Sequence, residues 1–474
     1  MLRARILYDD SYMKIRSKRW LEASEGFKSV ITIGDVGKPT LLMEQARLMQ
    51  VKSTLGSTNL VEAISLLQQI RNNPGQILDE AILLVAQAHA MAENLNGADE
   101  FLVELTSNGP SKILLAAAEL ENIQIHVKKE RWTEAITLYN KWLKDHVGHE
   151  QISAVRLDRA WALVRSGQVL DAASAYDEII NKHSGSFAAY AAKMWKADRM
   201  FNSKADRLAA ERLYQEIAGS TNTPPRLRQR AQMMSGRAAV ARQGYDDARK
   251  SFSALLNDPN VTGNVRAEAT FALGDLTLID LGAPSAEALG KLTQSTNAFF
   301  SIIESSPSSV VAARAWGRIG DGCRLMSTER PDFHEHALQA YQNSLAVSVA
   351  VPADVKSQAH MGLAYALEQF GTKGGVTEGS VAEAMDHVLA VFYGRHLDAG
   401  QKQDPYWRGQ SGLAALRLVE KLKQYEQGVK ICDELERSFP GMRPGLLERR
   451  KQIEKLMKDE PLADDCHCIP FILE

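Results

Sequence analysis

Four groupings in this chain have residue types that could do chemistry, and in each the spacing argues against it. Gly317, Gly320 and Gly322 form the run GRIGDG, whose spacing reverses the dinucleotide fingerprint. No strand precedes it, so it reads as close helix packing. No phosphate loop ending in Gly-Lys-Ser or Gly-Lys-Thr is present. A zinc-protease helix holds its glutamate between two histidines, whereas His146, His149 and Glu150 put it outside the pair. His334, Glu335 and His336 read as a solvated hairpin corner. Cys466, His467 and Cys468 offer thiolates and an imidazole, but three adjacent residues cannot close a tetrahedral zinc site alone, so they read as a frayed tail. The chain is therefore expected to be no enzyme and to hold no cofactor and no metal.

What remains is arginine and tryptophan. Arg226, Arg230, Met233 and Arg237 fall at offsets of 0, 4, 7 and 11, close together on one helix face. Between Tyr190 and Lys250 there are 13 Lys and Arg against 6 Asp and Glu, a net of +7 that leaves −9 elsewhere in a chain of formal charge −2. A guanidinium forks onto carboxylates, and a tryptophan anchors an interface through its area. These are tools for binding.

The elements that carry them are helices. In Arg131–His146, Trp132, Ala135, Ile136, Tyr139 and Leu143 recur at helical spacing and make one apolar stripe. Ala135 stands four residues before Tyr139, so two backbones can approach while the ring covers the contact. The same small-then-large pair recurs at Ala23/Phe27, Ala63/Leu67, Ala98/Leu102, Ala172/Tyr176, Ala210/Tyr214, Ala248/Phe252, Ser295/Phe299, Ala337/Tyr341, Ala384/Val388 and Gly428/Cys432. With Ala135/Tyr139 that makes eleven copies spaced 35 to 47 residues apart, the period of a helical-hairpin array. Proline pairs with these cuts, and Ser166-Gly167 and Gln243-Gly244 mark turns inside hairpins where glycine is expected to take the left-handed conformation.

Length agrees, since 474 residues exceed the roughly 250–300 at which a single core stops growing. Charged residues at 24 % and aromatics at 7 % suit an all-α soluble chain. Four scattered cysteines make no disulfide framework. The first twenty residues carry charge throughout, and nowhere do 18 apolar residues run together, so no membrane span and a cytoplasmic location are expected. A leader upstream of this sequence would instead allow the periplasm or cell envelope.

Trp316-x-x-Ile319-Gly320, Phe271-x-Leu273-Gly274 and Met361-Gly362-x-x-Tyr365 resemble the first helix of the tetratricopeptide repeat, and WTEAITLY resembles its second. FFSIIESSPSS, YDEIINKHSGS and CDELERSFPGM also resemble repeat ends of cell-envelope tetratricopeptide proteins. The resemblance implies an α-solenoid, a right-handed superhelix of about eleven antiparallel hairpins over residues 1–458, with subdivision near 282–294 as an alternative and a tail at 459–474. It also implies that first helices line the concave face. Counting from the glycine-like positions Ala160, Asp198 and Gly236 then places Trp161, Trp195, Arg199, Arg230, Met233 and Arg237 on that face. The function so implied is a scaffold that binds a protein or an acidic peptide, with no nucleic acid expected. An envelope assembly coordinator and a regulatory subunit of an enzyme complex are the alternatives. The material around Gly282–Thr293, Pro331 and Gly371–Ser380 reads as insertions between paired helices.

Overall fold

The computed structural model describes residues 2–34, 40–72, 74–203, 206–281, 283, 285–371 and 375–459. Cys466, His467 and Cys468 lie outside them. By contacts, Met1–Ser203 with Gly219–Leu227 form one compact unit and Lys204–Ala218 with Arg228–Glu474 form the second. The stretch near 282–294 lies inside the second unit.

The first unit carries α1 (Leu2–Arg16), α2 (Trp20–Gly34), α3 (Leu41–Gly56), α4 (Leu60–Asn72), α5 (Leu78–Met91), α6 (Leu95–Ser107), α7 (Lys112–Lys128), α8 (Trp132–Asp145), α9 (Ile152–Arg165), α10 (Val169–Lys182) and α11 (Phe187–Asn202). The second carries nearly all of α12 (Arg207–Gly219) and most of α13 (Pro225–Ala241). Then follow α14 (Tyr245–Asn257), α15 (Gly263–Ile279), α16 (Ala286–Ser305), α17 (Val310–Met326), α18 (Asp332–Ala346), α19 (Ala353–Phe370), α20 (Glu378–Phe392), α21 (Pro405–Lys421), α22 (Tyr425–Ser438) and α23 (Arg443–Asp459). In chain order these are eleven helix pairs with α23 after the last, and no strand occurs among the described residues. The architecture is that of a tetratricopeptide-like array of helical hairpins.

All eleven small-then-large pairs are buried. Tyr341, the large member of one pair, also needs small residues on the helices it meets. An ideal Cβ on Gly320 of α17 would stand 2.6 Å from its ring, and one on Gly362 of α19 would overlap the same ring from the next hairpin. Two glycines thus let one aromatic fill the space among three helices, a packing that any side chain would push apart. In α8, Ala135, Ile136 and Tyr139 are buried as expected, Trp132 and Leu143 are half-buried against the same cluster, and Trp142 is a further buried anchor. The indole of Trp142 donates Nε1–H to the Ala116 carbonyl at 3.0 Å, which satisfies its one polar group inside the core.

Seven hairpins share one turn. Lys18, Thr58, Glu93, Glu130, Gly167, Gln243 and Lys423 all have positive φ, and the next residue's N–H reaches back five residues, as in Asn59 to Thr54 O at 3.1 Å and Gly244 to Ala239 O at 2.8 Å. This is the Schellman helix end. Gly167 takes the left-handed position as expected. In the Gln243-Gly244 turn the expectation is corrected, because Gln243 is left-handed at φ 67° while Gly244 is the next helix's N-cap at φ −82°. The guanidinium of Arg242 occupies the space that a Cβ at Gly244 would take.

Two further expectations are corrected. The supposed insertion before Thr293 is mostly helix: Ser285 accepts the N–H of Ala288 at 3.1 Å, and α16 runs 20 residues with Leu292 buried. His334 is no solvated corner, because it is buried in the first turn of α18, where its Nε2 lies 2.7 Å from the Gly371 carbonyl.

Gly362→Ala should destabilise the chain by about 1–3 kcal/mol even though alanine is the better helix former by about 1 kcal/mol, because the methyl meets the Tyr341 ring. Thr58→Gly should do the reverse, stabilising by about 1 kcal/mol, since a β-branched residue at positive φ is strained. Urea midpoints of the two variants check both signs.

Candidate functional site

The six residues singled out from sequence are divided between the units: Trp161, Trp195 and Arg199 in the first, Arg230, Met233 and Arg237 in the second. In the first unit each tryptophan leans on the second helix of the preceding hairpin. Trp161 of α9, 44 % exposed, meets Trp132 of α8 edge to face at 5.3 Å, with the Arg165 guanidinium over both rings. Trp195 of α11 stacks on Tyr176 of α10 at 4.2 Å, and Arg199 sits 5.5 Å from its centroid. Trp195 and Arg199 line a hollow of about 250 Å³ beside the ion pair of Lys196 and Asp177. In the second unit Arg230 is exposed, and Arg237 is exposed but paired to Glu268 at 2.9 Å. Met233 is a core residue, only 6 % exposed and packed in one cluster with Phe252 and Leu276, so its place on the inner face is corrected.

A larger site, missed in the sequence, lies wholly within the second unit. A cavity of about 510 Å³ is lined by successive first helices: Leu278 and Leu281 from α15 and its end, Arg318, Asp321 and Arg324 from α17, Gln358, Met361 and Tyr365 from α19, and Trp407 from α21. A second of about 440 Å³ shares Arg324 and Tyr365 and adds Glu368, Gln369, Arg417 and Lys421. The shared lining makes one groove of the two. Apolar side chains line one end above a polar floor of Arg318, Asp321 and Gln358, and charged ones line the other.

Its polar floor is fully engaged. Asp321 accepts from Arg318, from Gln358 and from the Tyr341 hydroxyl, each at 2.8 Å, while Arg318 also pairs with Asp275. Burial works against the charge on Arg318, but the carboxylates of Asp275 and Asp321 more than offset it and hold its proton more tightly than usual. Burial, with the Asp321 carboxylate beside it, pushes the Tyr341 phenol well above its ordinary range. That phenol is a fixed donor at neutral pH, neither acid nor base. Burial likewise pushes the nearby Cys323 thiol up to about 11, so it is not a nucleophile.

The charged end is different. Tyr365 has the Arg324 guanidinium 5.9 Å from its ring centroid and that of Arg417 at 5.7 Å. Glu368, with its side chain 13 % exposed, pairs with both Arg417 at 3.0 Å and Lys421 at 3.1 Å. One carboxylate therefore faces three cations, a local net of +2. Arg324 donates from its Nη1 to the Gln369 side chain at 3.4 Å, while its Nε is buried without a partner. Arg324 stands four residues after Gly320 and Tyr365 three after Gly362, so counting from those glycines would have reached these two. The composition hid them, because acids alternate with the bases.

No family model and no curated protein matches the chain. Solved structures similar to it include yeast Tom70 at 13 % identity, covering 96 % of each chain with a TM-score of 0.41. Human IFIT1, solved as a dimer with m7Gppp-AAAA, is 14 % identical over 94 % of this chain and 95 % of its own, with a TM-score of 0.43. A tetratricopeptide repeat protein from Parabacteroides merdae, 14 % identical, covers 60 % of this chain and 98 % of its own at 0.38. No helix among the described residues is long and apolar enough to cross a membrane.

Asp321→Asn should destabilise the second unit by roughly 1–3 kcal/mol, because an amide N–H₂ would face Arg318 or Gln358 where an acceptor is needed. Tyr341→Phe, which removes one donor and keeps the ring, should cost about 1 kcal/mol. Thermal melts of the two variants give the ratio.

Proposed function

We propose that the chain is a non-catalytic binding array that holds other polypeptides, and that the groove of the second unit takes an extended segment carrying both carboxylates and apolar side chains. The observation that carries this reading is the groove's own division. Carboxylates would meet Arg324, Arg417 and Lys421, and apolar side chains would lie against Tyr365, Met361 and Trp407. Aromatic and arginine anchors set in a hollow are what concentrate binding energy in an interface. The lining lies on first helices of consecutive hairpins, so an extended chain can cross several of them.

This reading moves the acidic-ligand site away from the arginine stripe. In that stripe Arg237 already has Glu268, and Met233 is in the core. The residues that the first unit offers, Trp161, Trp195 and Arg199, are the second place where a partner would touch, with less enclosure.

Binding of a labelled peptide of alternating leucine and glutamate, followed by fluorescence anisotropy, tests the groove. The double variant Arg324→Gln with Arg417→Gln should weaken it by about tenfold or more, equivalent to roughly 1.4 kcal/mol, and added salt should weaken it in the parent chain. Circular dichroism checks that the variant is folded. Equal binding by the variant, or equal binding of a leucine–serine peptide to the parent, would sink the reading. Tighter binding of a labelled single-stranded RNA, lost in the same variant, would replace the protein partner with a nucleic acid.

A further inference from the structure

Behind the groove wall, the second unit brings three histidines together. His360 of α19 and His387 of α20 place their Nδ1 atoms 2.9 Å apart, with ring centroids at 5.1 Å. His396, from the segment between α20 and α21, lies edge to face on His360 at 5.6 Å. Its Nδ1 donates to the Ala390 carbonyl at 3.0 Å, and its Nε2 is 2.8 Å from the Ser357 hydroxyl of α19. The same segment is tied to α19 by the ion pair of Lys356 with Asp398 at 2.7 Å, and to the turn before it by Gln401 donating to Val351 O at 2.9 Å. Ser357 and His360 alternate along α19 with Gln358, Met361 and Tyr365 of the groove. Whatever holds the histidines together therefore sets where the groove wall stands.

The hydrogen bonding tolerates only some protonation states. Between the two Nδ1 atoms there is room for one proton, donated by one ring and accepted by the other. A first added proton keeps that hydrogen bond, as an imidazolium donating to an imidazole, but leaves a charge where burial opposes it. A second puts two N–H groups and two charges face to face. His396 can be protonated in place, because its Nε2–H would then donate to Ser357, whose own hydroxyl hydrogen already has the Ala353 carbonyl at 2.7 Å. The weak joint is the contact of His360 with His387. The groups facing it are Lys356 on α19, Glu383 and Asp386 on α20 and His396 on the connecting segment, which itself carries Asp398.

We propose that His360, His387 and His396 form an acid-sensitive latch: protonation parts α19 from α20 and the connecting segment, and so loosens the groove's hold on its peptide. This rests on the groove being the peptide site. Burial first, then the charges of His387, His396 and Lys356, pull the His360 value down to about 4, and burial lowers His387 and His396 as well. The opened state binds protons more readily, so the closed latch is favoured above about pH 6.5 and loses that advantage as pH falls toward about 4. One histidine with these two values shifts the opening equilibrium by about tenfold between about pH 7.5 and about pH 5.5.

Hydrogen exchange on the full chain, corrected for intrinsic rates, reads the latch without any ligand. Between about pH 7.5 and about pH 5.5, amides of α19, α20 and the connecting segment should lose at least about tenfold more protection than those of α13 and α14, which contain no histidine. The double variant His360→Leu with His387→Leu should abolish that excess, and His360→Asn with His387→Asn serves if the first does not fold. No excess in the parent chain, or the same excess in the folded variant, overturns the latch. The leucine–glutamate peptide, measured at both pH values, then reads the coupling. A loss of affinity in acid that the variant lacks supports it, while an equal loss in both overturns it. If the peptide binds at neither pH, the groove reading fails and the exchange result still decides the latch.

Discussion

The structure depends on how closely its helices can approach. In four hairpins of the second unit a glycine of the first helix faces a large side chain of the second: Gly236 meets Phe252, Gly274 meets Phe299, Gly320 meets Tyr341 and Gly412 meets Leu435. The ring of Tyr341, held between Gly320 and Gly362, is the clearest instance, because one aromatic there ties two successive hairpins. In both units the small-then-large pairs are buried, so every hairpin turns the same face of its second helix inward. Each contact is short-range, so hairpins can be added along the chain without a common centre.

That economy has two consequences. The turns must be tight enough to return the second helix to the first, and six of the seven Schellman ends accept a non-glycine residue in the left-handed region to do so. Strain of that kind persists where surrounding packing determines the backbone. The second consequence is that the inner sides of the first helices are left to other uses. In the second unit they hold a polar floor in which Asp321 takes three donors, and beside it a set of cations that one glutamate does not neutralise. The floor is rigid because its partners are complete, and the cationic end keeps a net positive charge because one carboxylate serves two of its three cations.

The histidines behind α19 add dependence on conditions to the same element. Their rings are packed as uncharged groups between a helix and a connecting segment, and that packing opposes charge. A wall built in this way is firm where imidazole is neutral and weakens where it is not.

The amino-acid sequence by itself determined the repeat. Helix class, eleven hairpins, the buried pairs and the packing role of the glycine run were all legible, because each arises from residues within a few turns of one another, where helical spacing fixes who faces whom. Only tertiary structure decided which charges matter. The stripe of Arg230, Met233 and Arg237 looked continuous along one helix, yet Met233 turned into the core and Arg237 met Glu268 from the next hairpin. Arg324, Tyr365 and Arg417, 41 and 52 residues apart along the chain, became a site because three first helices placed them together. Ser357, His360, His387 and His396 are likewise scattered in the text and joined only in space. A local period reports the face a residue occupies, whereas the partner it finds there comes from another helix whose registry the period does not carry.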